Sequence, residues 1–157
     1  MEYNVQHYYL YDEMMELLQG WEQAYPELMQ LSSIGRSYQG RDIPLVTLTL
    51  GDGEKPAVLL SGNLHGVEII GSCAVLYAIH RLLTEGKTDP ELRALLQDRI
   101  IYCIPRINVD GAETNLTTYQ LVRGSMLPFH QDEDGVVPAD IDGDGVARKM
   151  RAPNPEG

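Results

Sequence analysis

Residues 57 to 84 read AVLLSGNLHGVEIIGSCAVLYAIHRLLT, and the change of hydrophobic pattern inside that stretch decides the fold class. Ala57-Val-Leu-Leu60 is a short unbroken apolar run, the pattern of a strand covered on both faces. Asn63-Leu-His-Gly-Val-Glu68 interrupts it. Ile69 to Thr84 is then apolar almost all round and ends near Gly86, which predicts a helix buried in the domain. A short helix follows, with Asp89 as N-cap and Pro90 as its first residue. Ile100-Ile-Tyr-Cys-Ile104 predicts a second buried strand. Strand, helix, strand implies a parallel pair with a right-handed crossover. The fold class is therefore α/β, with a mixed, partly parallel sheet flanked by helices.

Towards the N-terminus, Met14, Leu17, Leu18, Trp21 and Ala24 follow the i, i+3, i+4, i+7 spacing of an amphipathic helix over Asp12 to Tyr25, stopped by Pro26. Gly35 to Gly40 carries turn chemistry, and Ile43, Leu45, Leu48 and Leu50 beyond it predict a two-stranded hairpin. Past Asn108 the periodic apolar signal ends. About fifty residues rich in Gly, Pro, Asp and Asn predict irregular structure there, of the kind that is functional or disordered in a compact domain.

A length of 157 residues suits one domain. With 43% hydrophobic and 22% charged residues the composition is globular, and no run approaches the ~18 apolar residues of a membrane span. Met1-Glu-Tyr-Asn shows no signal peptide, which makes the cytoplasm the default compartment. Twelve basic against 23 acidic side chains leave a net charge of −11, which disfavours nucleic acid and anionic membranes as partners. Cys73 and Cys103 lie apart in apolar segments and read as buried free thiols.

The chemistry sits at the boundary between strand and helix. His65 and Glu68 are three apart, so at helical spacing their side chains point the same way. An imidazole nitrogen and a carboxylate oxygen suit zinc, though a catalytic zinc needs three protein ligands and an open position. The plain alternative is a hydrogen-bonded loop histidine beside a carboxylate favoured by the helix dipole. Location favours a site, because ligands in open α/β sheets bind outside the carboxyl ends of the strands.

Three segments in order, Ile34-Gly-Arg-Ser-Tyr-Gln-Gly-Arg-Asp-Ile43, Leu64-His-Gly-Val-Glu68 and Pro105-Arg-Ile-Asn-Val-Asp-Gly111, resemble the zinc carboxypeptidases of the carboxypeptidase A type. The resemblance runs from about Ser32 to Gly111, with a weaker echo to Arg151. It implies the carboxypeptidase-like (phosphorylase/hydrolase-like) fold, one zinc ion with His65 and Glu68 as two of its ligands, and a peptide substrate cleaved at its C-terminal residue. The family's Asn-Pro-Asp-Gly turn appears as Asn108-Val-Asp-Gly111, without the proline, and reads as structural. Ala147-Arg-Lys-Met-Arg151 resembles the segment that holds the oxyanion-stabilising arginine. Arg148 fits by one spacing and Arg151 by another, and two solvated surface arginines are the plain alternative.

Asp140, Asp142 and Asp144 precede Gly145 at alternate positions, like the opening half of a calcium loop. The closing acid is missing, since position twelve would be Arg151; a simpler calcium turn and an ordinary Asp-Gly turn are the two readings left. His7, His80 and His130 read as packed or solvated. The setting of His130, Pro-Phe-His-Gln, does not resemble the family's third ligand segment.

That third ligand, a histidine, and the general base, a glutamate, belong in the family to segments downstream of the arginine, and nothing here matches them. Residues 1–157 therefore read as the N-terminal portion of a single zinc carboxypeptidase catalytic domain, truncated, with part of its sheet left unpaired at an edge and prone to self-association. The leading function is a zinc-dependent metallocarboxypeptidase with an incomplete site. The alternative is a non-catalytic binding module that keeps the fold. The family includes digestive, processing and cell-wall-peptide enzymes, so substrate stays open, and the resemblance is as compatible with export as with the cytoplasm.

Overall fold

A computed structural model describes residues 2–127 and Asp140. In chain order the elements are α1 (Tyr11–Ala24), β1 (Met29–Arg36), β2 (Asp42–Leu48), β3 (Ala57–Ser61), α2 (Ile69–Glu85), α3 (Pro90–Asp98), β4 (Ile100–Ile104) and α4 (Val109–Thr117). The four strands form one sheet in the order β1-β2-β4-β3. β1 and β2 are the expected antiparallel hairpin, β2 runs antiparallel to β4, and β3 and β4 are the expected parallel pair, with Ala57 opposite Ile100 and Ser61 opposite Ile104.

The register explains the core. Met29, Val46, Leu48, Ile101 and Cys103 share one face of the sheet, and Met14, Leu17, Leu18 and Trp21 of α1 with Val75, Leu76, Ile79 and Leu83 of α2 close over it. Each such side chain contributes about 1.5–3 kcal/mol by leaving water. The α1 stripe is the one the spacing predicts, except that Ala24 is exposed. At α3, Asp89 accepts from the backbone of Glu91 (2.8 Å) and Leu92 (3.2 Å), with Pro90 in the first turn as expected. Both cysteines are free; Cys103 is buried and Cys73 half-buried. Burial pushes the Cys103 thiol up to about 12.

Three expectations are corrected. β3 is not covered on both faces: among the described residues it is an edge strand, with Leu59 60% exposed. An unbroken apolar run records what a strand could bury, whereas its position in the sheet decides what it does bury. Nor is α2 buried all round. Ile70, Ala74, Tyr77, Arg81 and Thr84, at spacings of four and three, form an exposed stripe. Finally, the chain past Asn108 is not irregular throughout, because α4 forms there. Its propensity is poor, with Gly111, Asn115 and two threonines, but Asn108 Oδ1 caps it by accepting from Gly111 N at 2.9 Å, and its whole first turn, Val109 to Ala112, is buried. Tertiary burial outweighs a weak local preference.

Candidate metal centre

The site is built where the parallel pair ends. Gly62 N donates to Ile104 O (2.9 Å), Ile107 N to Gly62 O (3.1 Å) and Asn108 N to Asn63 O (3.0 Å), so the loops after β3 and β4 continue side by side beyond the strands. A side chain on Gly62 would collide with the backbone of Gly71. Glycine therefore lets the start of α2 sit against the end of β3. Asn63 then takes a left-handed conformation (φ 55°), which asparagine tolerates, and its Nδ2 donates to His65 O at 2.8 Å.

That bend turns the next residues outward. Glu68 N donates to His65 O (3.0 Å), one tight turn that brings the two side chains together: His65 Nδ1 lies 2.8 Å from Glu68 Oε1. Both remain partly open to solvent, at 31% and 52% of their side-chain surface. Two donors each about 2.0–2.2 Å from one tetrahedral ion stand roughly 3.3 Å apart, so opening the pair by about half an ångström would admit zinc. An imidazole nitrogen with a carboxylate oxygen is the donor chemistry zinc takes. Among the described residues no third histidine, cysteine or carboxylate joins them.

Beside the pair is a cavity of about 450 Å³ whose walls include Tyr38, Ile43, Leu64, His65, Ile107 and Met126. One wall is the β1–β2 turn, and that turn is fastened from beneath. Asp110 is 3% exposed, and its carboxylate accepts from Ser37 Oγ (2.8 Å), Gln39 N (2.9 Å) and Arg41 Nη1 (2.8 Å). The Gly-Arg-Ser-Tyr-Gln-Gly-Arg and Asn-Val-Asp-Gly segments are thus two halves of one buried ion-pair network, reaching across 69 residues of sequence.

His65 and Glu68 are brought together as their spacing implies. Asp140 is described and lies at the surface. Asp142, Asp144, Arg148, Arg151 and His130 lie outside the described residues. His7 pairs with Glu13 at 3.1 Å, and the ring of His80 packs 4.6 Å from that of Tyr3. Two residues at the site carry no role in the sequence reading. Asp110 was legible only as part of a turn; Arg123, whose Nη2 is 3.4 Å from His65 Nδ1, sits in a stretch with no periodic or motif signal at all.

A family model described as zinc carboxypeptidase matches residues 14–154. The chain is 30% identical over 145 residues to carboxypeptidase B of Astacus astacus, covering 82% of this chain and 47% of that protein. It is 34% identical over 113 residues to carboxypeptidase A6 of Mus musculus, covering 70% of this chain and 25% of that protein. The chain thus spans between a quarter and a half of these relatives' length. In structure it is similar to the carboxypeptidase A from Helicoverpa armigera (TM-score 0.72, 23% identity, 83% of this chain and 32% of that one). It is similar also to thrombin activatable fibrinolysis inhibitor (TM-score 0.75, 19% identity, 84% of this chain and 33% of that one). Those identities speak for the fold, which is the mixed, partly parallel α/β sheet described above. A family match across most of the chain, taken with the ordered motifs that the tertiary structure draws to one end of the sheet, shows that this chain belongs to the zinc carboxypeptidase family.

Proposed function

We propose that residues 1–157 form the N-terminal part of the catalytic domain of a zinc-dependent metallocarboxypeptidase, which removes C-terminal residues from peptides. The observation that carries this reading is the 2.8 Å approach of His65 Nδ1 to Glu68 Oε1 at the carboxyl end of the parallel pair. In it His65 and Glu68 are two of the ligands of one zinc ion. Bound there, zinc supplies Lewis-acid polarisation of a carbonyl and a water acidified to near neutral pH.

The chain's own residues do the rest of what it can do. Asn63 and Gly62 set the loop that aims the imidazole, and Asp110 holds the turn that walls the adjoining cavity. Arg148 or Arg151 is the cation for the developing oxyanion. The third ligand and the general base come from sequence outside this chain, so the isolated 157 residues bind zinc weakly and turn over little peptide, since metal binding is coupled to folding of the whole ligand set. Self-association through the β3 edge is part of the same proposal.

The test uses the polypeptide extended to the length of its relatives. Purified protein is expected to carry about one zinc per chain, and His65→Ala or Glu68→Ala to lower metal affinity by roughly 100-fold or more and abolish release of C-terminal residues. Extended protein that holds no zinc, with His65→Ala indistinguishable from wild type in metal content and peptide cleavage, supports the non-catalytic module instead.

A further inference from the structure

The segment that leads into α1 is folded around one tyrosine. Tyr9 is 2% exposed. Its hydroxyl accepts from Asn4 N (2.6 Å), its ring stacks on that of Tyr3 (centroids 6.1 Å apart, 10° between planes), and His7 N donates to Asn4 O (3.1 Å). Tyr3 in turn lies against Trp21 of α1 (5.6 Å) and His80 of α2 (4.6 Å). Residues Tyr3 to Leu10 thus form a strap that touches both helices closing the core. Glu13 ties it to the first turn of α1, where Oε2 accepts from Leu10 N at 2.8 Å and meets His7 Nε2 at 3.1 Å.

Two charged residues, 97 and 102 positions further along the chain, hold the end of the strap. Arg106 Nη2 donates to Tyr9 O and Glu113 Oε2 accepts from Tyr11 N, each at 2.8 Å. Arg106 is 1% exposed. Burial draws its guanidinium below the usual arginine range, and the charge of Glu113 opposes that. Breaking a buried charge away from its partner is expensive, so the Tyr9 carbonyl is an anchor for Arg106 and not a chance contact. Arg106 also belongs to the loop that supports the site. One residue on, Ile107 N donates to Gly62 O (3.1 Å), and two on, Asn108 N donates to Asn63 O (3.0 Å). Asn63 Nδ2 then donates to His65 O (2.8 Å). Hydrogen bonds and short covalent links therefore connect Tyr9, through Arg106, to the turn that pairs His65 with Glu68.

We propose that residues Tyr3 to Leu10 are a positioning strap, whose docking, transmitted by Arg106, fixes the loop that aims His65 and so sets how firmly the site holds its metal. The metal half of this statement rests on the function proposed above; the coupling between strap and loop does not. Coupling between two places in a protein is reciprocal, so an ion that closes the His65 loop also tightens the strap. A partner that lifted residues 3–10 would act on the site without touching His65 or Glu68.

The experiment is amide hydrogen exchange of the extended protein, zinc-free and zinc-loaded, as wild type, Tyr3→Ala, Arg106→Met and the double variant. Tyr3→Ala loosens the strap at its far end. Arg106→Met removes the link together with its buried charge, a replacement that protein interiors tolerate. In zinc-free protein each single variant is expected to speed exchange at Ile107 and Asn108 by about fivefold or more, the low end of coupling between sites, with the amides of β2 unchanged. The double variant should match Arg106→Met alone, since the link is then already cut. With zinc, exchange at His7 should slow in the wild type, and Tyr3→Ala should weaken zinc affinity by about the factor by which zinc slows the strap. Additive effects in the double variant, or exchange that rises equally in the loop and in β2, overturn the proposal. Wild type that holds no zinc, while the zinc-free cycle is non-additive, sinks the peptidase reading and leaves the coupling standing. Zinc bound equally by every variant, with loop exchange unchanged, sinks the strap and leaves the peptidase.

Discussion

Asp110 shows how much one buried charge organises. It accepts from a hydroxyl, a backbone amide and a guanidinium, so all of its partners are donors and none can be satisfied by an apolar replacement. Removing the carboxylate leaves Arg41, only 29% exposed in its side chain, without its counter-ion, and frees the turn that walls the cavity. Asp110→Ala is expected to cost about 2–3 kcal/mol, read as a lower urea midpoint at unchanged slope. Asp110→Asn keeps two of the acceptor contacts and should lose less. Equal destabilisation by both would mean that the charge, not the hydrogen bonding, holds the turn.

At the scale of elements, the site depends on backbones packed closer than side chains allow. The loop that carries His65 lies against α4 and against Val122 because Gly66 has no Cβ. Gly66→Ala forces one backbone away from another, an overpacking that costs typically ~1–3 kcal/mol and shifts the imidazole from Glu68. Its expected signature is a lowered melting temperature together with loss of zinc from the extended protein. Gly20 in α1 is the control, since a Cβ there meets nothing within 4 Å. Gly20→Ala should stabilise by about 0.5–1 kcal/mol, the helical advantage of alanine, and leave zinc content alone. Two glycines of the same chain thus answer oppositely, according to what each lies against.

For the molecule as a whole, the described sheet has one face closed by α1 and α2, while the rung Thr47, Tyr102 and Leu59 on the other face runs from half-buried to exposed. At one end, among the described residues, β3 pairs only with β4, and it displays Val58 and Leu59. Unpaired backbone donors and acceptors flanked by apolar side chains invite another strand. Expressed alone, residues 1–157 are expected to self-associate in sedimentation velocity. Leu59→Lys, placing a charge on that edge, should shift the population towards monomer. A monomer at all concentrations would show that the edge is protected.

Sequence by itself determined the elements whose cause is local. The α1 stripe is a repeat of 3.6 residues, α3 is announced by Asp89 and Pro90, and the parallel pair follows from two apolar runs joined by a helical crossover. The His65–Glu68 meeting was legible for the same reason, because three residues across one tight turn leave the side chains little choice of direction. Only the tertiary structure decided what depends on neighbours distant in the chain. α4 exists because its first turn is buried, against its own propensity. β3 is exposed because of where it sits in the sheet, despite a pattern that suits full burial. Arg123 reaches the site because hydrogen bonds from Asn108, Asn115 and Gly66 hold the segment that carries it. Periodicity and capping are written within a few residues, whereas burial and convergence are properties of contacts that no short window of sequence contains.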